Sequence, residues 1–387
     1  MKNFVEIFIF ARNEVHNDMD NRHNDTSRST NPTSNGVNIL AIGTDRDVLN
    51  PGSESARRQA AYGAHFSRFD IIVFARGGTW KPASLSATTR AVPTRSWSPL
   101  LYGLDALRLA RLLPKPDVVT AQDPFETGLL AWFVARMTGA RLHIQVHTDF
   151  LAPQFKDGIL NRLRIMIAFF VLQRAHRIRV VSNRIRDGLQ ATDYTLPAIS
   201  VLPIFVDIAK YKGAHTGILA GRFSRFSVRF LVVSRLEREK NVALALDAFA
   251  AAAPQDACLI IVGDGSERGT LLKQAERLGI MARTFFESLA DPAPYYAASD
   301  LVLVPSRYEG YGRVIVEALA AGKPVLATDV GVARDAGAIV ADEAHFVEAL
   351  GEWSAHGPRT GDLRQYPYTS FDAYLDAYCK DLMAAAR

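Results

Sequence analysis

Glu309-Gly310-Tyr311-Gly312-Arg313-Val314-Ile315-Val316-Glu317 follows the apolar run Asp300-Leu301-Val302-Leu303-Val304-Pro305-Ser306, and the junction between them decides the fold. The run reads as a buried parallel strand, so the loop after it opens at the carboxyl end of a sheet, where such folds bind ligands. Where the glycines end, Val314, Val316, Ala318 and Leu319 predict a helix over Arg313 to Gly322. Glu309 thus sits in a glycine-flanked loop and Glu317 one turn into a helix. A carboxylate accepts two hydrogen bonds from vicinal hydroxyls, and the exposed amides of a helix start attract phosphate. Two carboxylates flanking one anion seat suit a nucleotide sugar. Two glutamates at this spacing also arise by chance in an amphipathic helix, so the surrounding pattern has to decide.

Upstream, the apolar strand Phe230-Leu231-Val232-Val233 runs into Ser234-Arg235-Leu236-Glu237-Arg238-Glu239-Lys240 and then a helix over Asn241 to Ala253. Arg235 stands at a strand end and Lys240 at a helix start, the first offering a planar fork and the second a point charge. The alternating signs from Glu237 to Lys240 also fit a solvated helix start. In the first half, Arg141-Leu142-His143-Ile144-Gln145-Val146-His147-Thr148-Asp149-Phe150 is a strand whose end presents His147 and Asp149, and His143 reads as structural.

At these three junctions the chain resembles the retaining glycosyltransferases of family 4, whose signature is Glu, seven residues, Glu within a Glu-Gly-aromatic-Gly segment. The resemblance implies an α/β protein of the GT-B fold, two Rossmann-like doubly wound parallel-sheet domains facing a central cleft. By it, Glu309 faces the hydroxyls of the donor sugar, and Gly310, Tyr311 and Gly312 offer backbone amides to sugar and diphosphate. Glu317 holds the ribose, Arg235 and Lys240 clamp the diphosphate, and His147 reaches the sugar from the other domain. The implied reaction moves a hexosyl group from a nucleotide diphosphate sugar to a glycan or lipid-linked acceptor, with retention and without metal or other cofactor. Gly43, Thr44 and Asp149 mark an acceptor or phosphate loop.

The chain departs from the family at several points. The loop after the first strand, Gly43-Thr44-Asp45-Arg46-Asp47, has one glycine where the family has several. Pro203-Ile204-Phe205-Val206-Asp207 replaces the Asn and Gly of Pro-Asn-Gly-Val-Asp, and Gly331-Val332-Ala333-Arg334-Asp335 shortens a glutamate to Asp335. Gly263-Asp264-Gly265 resembles the family's turn after its second strand. These departures leave two other readings open, a catalytically silent GT-B protein that binds a glycan or protein partner, and a nucleotide-sugar epimerase on the same fold.

The 387 residues, 48% of them hydrophobic, are enough for two domains with a core each. Cys258 and Cys379 form no zinc spacing or disulfide framework, which suits a reducing cytoplasm. A net charge of +5 attracts anions without choosing among them, and nucleic acid is not among the expected partners. Strand and helix patterns alternate from Val37 onward, which means parallel sheets covered on both faces. Residues 1–36 read as a disordered extension, 37–207 as the first domain, 208–228 as a linker, 229–365 as the second domain, and 366–387 as a terminal helix returning to the first. No stretch reads as a membrane span or signal peptide. The helix Gly158 to His176 has an apolar run beside Arg162, Arg164, Arg174 and Arg177. It fits a core helix with polar ends or a peripheral contact with an acidic membrane face, which would place the protein at the inner side of that membrane.

Overall fold

The computed structural model describes residues 36–219, 221–288 and 291–387, so the extension expected over residues 1–36 lies, save its last residue, outside the described residues. The first sheet contains β1 (Asn38–Gly43), β2 (Arg68–Val73), β3 (Ala83–Ser84), β4 (Thr89–Pro93), β5 (Val118–Ala121), β6 (Arg141–Val146), β7 (Arg177–Val180) and β8 (Ile199–Val201). Its order is β3-β4-β2-β1-β5-β6-β7-β8, parallel except for the short β3 edge. The second sheet contains β9 (Arg229–Val233), β10 (Cys258–Val262), β11 (Thr284–Glu287), β12 (Leu301–Val304), β13 (Val325–Ala327) and β14 (Ile339–Val340). All its pairs are parallel, in the order β11-β10-β9-β12-β13-β14.

Both sheets reverse direction of growth beside their first strand, at β1/β5 and at β9/β12. Loops diverge there at the carboxyl edge and leave a crevice. The local rules that build the elements are plain. β9, β10 and β12 are apolar and buried on both faces, as strands covered by helices must be. Ser53, Ser182 and Ser370 each cap a helix by accepting an amide three residues on. β3, β4 and β14 were not among the expected strands, because two of them are only two residues long and β4 ends in a proline.

Residues 208–228 are more than a linker. Asp207 caps a helix over Ile208–Lys212, and Tyr211, at 4% exposure, packs edge-on against Tyr296 of the second domain. Leu219 and Phe223 are buried as well. The apolar side chains of this connection find a surface to cover. The helix Phe371–Ala386 lies on the first sheet, where Tyr374, Tyr378 and Leu382 are buried. Each such side chain contributes roughly 1.5–3 kcal/mol.

Candidate active site

Lys240 ends a 3₁₀ turn, Arg238–Lys240, after β9, and Glu309 lies in the loop after β12. Because β9 and β12 are neighbours at the reversal point, the two meet: Lys240 Nζ donates to Glu309 Oε1 at 2.6 Å. Ser306 Oγ donates to the same oxygen at 2.9 Å. Arg235 donates to Glu239 at 2.7 Å and remains one-third exposed. Its loop is braced by the Gly263-Asp264-Gly265 turn, whose Asp264 carbonyl accepts from the Leu236 amide at 2.8 Å. Lys240 and Arg235 at this edge are thus each held by a carboxylate.

Glu317, in the helix Arg313–Ala320, is 1% exposed. Tyr296 OH donates to its Oε2 at 2.9 Å, and Arg313 lies 3.2 Å from Oε1. Its carboxylate is therefore engaged inside the domain, and ribose hydroxyls would have to share it with Tyr296 and Arg313. Tyr311 is buried at 4%, so this segment can offer a ligand its backbone and not the phenol. Gly312, with φ +88°, precedes the helix start.

The loop is pressed against the first domain. A Cβ on Gly310 would lie 1.8 Å from the His147 carbonyl oxygen, so no other residue permits this approach. Ser182 Oγ donates to the Gly310 carbonyl at 2.9 Å, and Phe155 meets Tyr308 edge-on with centroids 5.7 Å apart. Asn183 donates to Asp335 at 3.1 Å, which gives the shortened carboxylate a partner across the cleft. Arg184 bridges Asp149 at 3.1 Å and Asp329 at 3.3 Å. Asp149, 8% exposed, thus holds Arg184 within the first domain, and Arg184 in turn reaches Asp329 of the second.

His147 follows β6, on which His143, Gln145 and His147 share one face by strand alternation. That face lies beneath the terminal helix. Asp381 accepts from Arg177, from Ser200 at 2.6 Å and from His143 Nε2 at 3.0 Å. His143 Nδ1 then accepts from Thr120 at 2.8 Å, and Thr120 accepts from Gln145 Nε2 at 3.2 Å. Gln145 also donates to Tyr378 at 3.1 Å, while its Oε1 accepts from Arg179 at 2.7 Å and faces His147 Nε2 at 3.2 Å. With both amide protons used, Gln145 can only accept from His147. His147 therefore carries its proton on Nε2 and keeps a lone pair on Nδ1. Burial, then the nearby Arg179, Arg58 and His143, push its pKa down to about 3, so the ring is neutral at ordinary pH. Although burial works to raise it, the bonds from His143, Ser200 and Arg177 bring Asp381 down to about 2.

Gly43 ends β1 with Gln122 beside it, and Thr44 is half-buried. The charges after them hold a 3₁₀ turn: Asp45 accepts from the Asp47 amide at 3.0 Å, and Arg46 donates to the Phe74 carbonyl at 3.2 Å. Asp123, after β5 on the same edge, has its pKa pushed up to about 6, chiefly by burial. Phe205, which stands where the family has glycine, packs against Phe371 and Tyr374 of the terminal helix. Sequence reasoning missed Ser306, Ser182, Arg184 and Gln145. Of these, only Gln145 carried a signal, a polar residue on the same strand face as His143 and His147. Among the described residues no group of three or more His, Cys, Asp or Glu is gathered as a metal site requires.

Comparison with known proteins agrees with this architecture. Residues 227–356 match the family described as glycosyl transferases group 1, and residues 52–204 match the glycosyl transferase 4-like domain. The alpha-monoglucosyldiacylglycerol synthase of Streptococcus pneumoniae is 28% identical over 234 residues, 54% of this chain and 51% of that protein. The N-acetyl-alpha-D-glucosaminyl L-malate synthase of Bacillus anthracis is 39% identical over 221 residues, 56% of this chain and 57% of that one. The matched stretches thus span little more than half the length of these relatives. Among solved structures, sucrose-phosphate synthase from Thermosynechococcus elongatus superposes with a TM-score of 0.67 at 15% identity, covering 90% of this chain and 94% of the other. HepE of Anabaena, in complex with UDP and glucose, gives 0.64 at 18% identity with the same coverage. At that identity the structures speak for the fold alone. With both halves matched by sequence and the two facing sheets matched in space, the chain belongs to the group 1 glycosyl transferases, with the GT-B fold.

Proposed function

We propose that the protein transfers a hexosyl group from a nucleoside diphosphate sugar to a hydroxyl of a glycan or lipid-linked acceptor, with retention at the anomeric carbon and without a divalent ion. The observation that carries this reading is the Lys240–Glu309 pair at the β9/β12 reversal, opposite the neutral His147. An arriving donor exchanges the pair: its diphosphate takes Lys240 and Arg235, and its sugar hydroxyls take Glu309. The bond from the anomeric carbon to the diphosphate oxygen breaks, and its electrons stay with the diphosphate. Fixed cations stabilise that growing charge. The acceptor oxygen bonds the same carbon on the face the diphosphate leaves, and its proton passes to the departing phosphate oxygen. No protein nucleophile is needed. His147, with Nδ1 as an acceptor, is suited to orient a hydroxyl of the sugar. Two buried free thiols fit a cytoplasmic location.

HepE is known with UDP-glucose bound, and the relatives' names describe synthases and transferases, which favours transfer over a silent binder or an epimerase. The test is a panel of nucleotide sugars screened by mass spectrometry, with and without EDTA, and the product's anomeric configuration read by NMR. Transfer that survives chelation with the donor's configuration kept is the expected result. Tight nucleotide binding with no hydrolysis or transfer from any donor would establish a silent binder, and loss on chelation restored by magnesium or manganese would overturn the metal-free reading.

A further inference from the structure

Three helices, Tyr102–Leu112, Glu126–Thr138 and Ile159–Leu172, pack side by side on one face of the first sheet. A helix covering a sheet buries one stripe and ordinarily turns a mixture of charges and neutral polar groups to water. Here every fully exposed side chain is either a large apolar one or an arginine. Ile159 is 84% exposed, Met166 69% and Leu104 66%, with Leu112, Leu163 and Phe133 also outside. The exposed charges are Arg108, Arg111, Arg136 and Arg162. The two carboxylates of these helices are occupied: Asp105 accepts from Ser96 at 2.6 Å, and Glu126, one-third exposed, accepts from Arg164 at 2.9 Å.

Apolar side chains set among charges of a single sign match the boundary of an anionic bilayer, where aliphatic groups enter the acyl edge and guanidinium groups stay at the level of the lipid phosphates. A two-fold contact with a second copy would bring arginine against arginine, with the two carboxylates of these helices already engaged. We propose that this three-helix face docks the protein on an anionic lipid surface. The helices at Tyr102 and Ile159 begin at the carboxyl edge of the sheet, and the segment entering the first of them exposes Trp97 at 85% and Leu100 at 87%. The apolar face therefore reaches the rim of the cleft, so that a membrane-anchored acceptor could enter the cleft without leaving its bilayer. The single helix singled out by sequence is one third of this surface.

The experiment is sedimentation of the full chain with vesicles of phosphatidylcholine alone and of phosphatidylcholine mixed with phosphatidylglycerol. Partition onto the anionic vesicles should exceed that onto the neutral ones by about tenfold or more and fall steeply with salt. Each of Arg108→Gln, Arg136→Gln and Arg162→Gln should lower it about fivefold. Ile159→Ser with Met166→Ser should lower binding to both vesicle types. These positions are on the surface, so thermal melting and transfer to a water-soluble acceptor should be unchanged, which keeps this test apart from that of the catalytic reading. No partition at low salt, or equal partition of wild type and the arginine variants, would overturn the proposal. Self-association abolished by the same substitutions, without vesicle binding, would assign the face to a second copy and overturn it too.

Discussion

The first domain meets the cleft with a neutral imidazole, His147, at the end of a buried hydrogen-bonded chain anchored by the Asp381 carboxylate through His143, Thr120 and Gln145, whereas the second meets it with ion pairs. The difference is one of exchangeability. Lys240 and Arg235 keep partial access to solvent, so a ligand with more negative charge can displace Glu309 and Glu239. The chain behind His147 is buried and directed, and its bonds cannot be traded without leaving a polar group unsatisfied. On the proposed reading, one lip changes partners and the other stays as it is.

The heaviest blow to the static lip is Asp381→Ala, which leaves Arg177 and His143 facing a hole. Removing one member of a buried ion pair costs about 3–5 kcal/mol, measurable by denaturant unfolding. A loss below about 1 kcal/mol would show that the terminal helix does not secure this lip. The depressed pKa gives the sign with pH: Asp381 contributes stability above about pH 4, and this is lost as the pH falls toward 2.

On the exchangeable lip, Lys240→Ala should lower kcat/KM for the donor by about 2–4 kcal/mol, because a fixed charge is removed from a developing anion. Donor turnover within about twofold of wild type would break the contrast between the lips. The two glutamates should then separate. Glu317→Gln weakens nucleoside diphosphate binding by about 1–2 kcal/mol, and its disturbed Tyr296 and Arg313 contacts add a small loss of melting temperature. Glu309→Gln leaves diphosphate affinity near wild type and lowers turnover of the intact donor. Titration of both variants with diphosphate and with donor decides, and equal loss of diphosphate affinity would show that the two share one role.

At neutral pH, where it has no effect on stability, the neutrality of His147 can be tested by titration. Its folded pKa of about 3 lies below the unfolded value, so stability falls as the pH drops from about 6.5 toward 3, and the ring stays uncharged across neutral pH. Nitrogen-resolved NMR should show the proton on Nε2. A titration of His147 near pH 6.5, or a proton on Nδ1, would place a charged or reversed ring at this lip.

The elements around the motifs were legible because each is specified locally. An apolar run leading to Glu309-Gly310-Tyr311-Gly312 can only be a strand that stops at a loop and a helix that starts after it, and the runs at Phe230 and Leu301 appear in the structure as strands. β4 and the packed stretch 208–228 were not legible, since a proline-ended strand and a glycine-rich segment gain their order from surfaces elsewhere in the chain.

The sequence by itself determined two doubly wound halves and the residue types at their strand ends, because periodicity and turn chemistry act over a few residues. Only the tertiary structure decided the partners: Lys240 with Glu309 across 69 residues, Asp381 with His143 across 238, and Gly310 against the His147 carbonyl. Such pairings depend on where strands fall in a sheet and where the chain returns. A carboxylate's role follows from the cation that reaches it, and that is set by packing between distant segments.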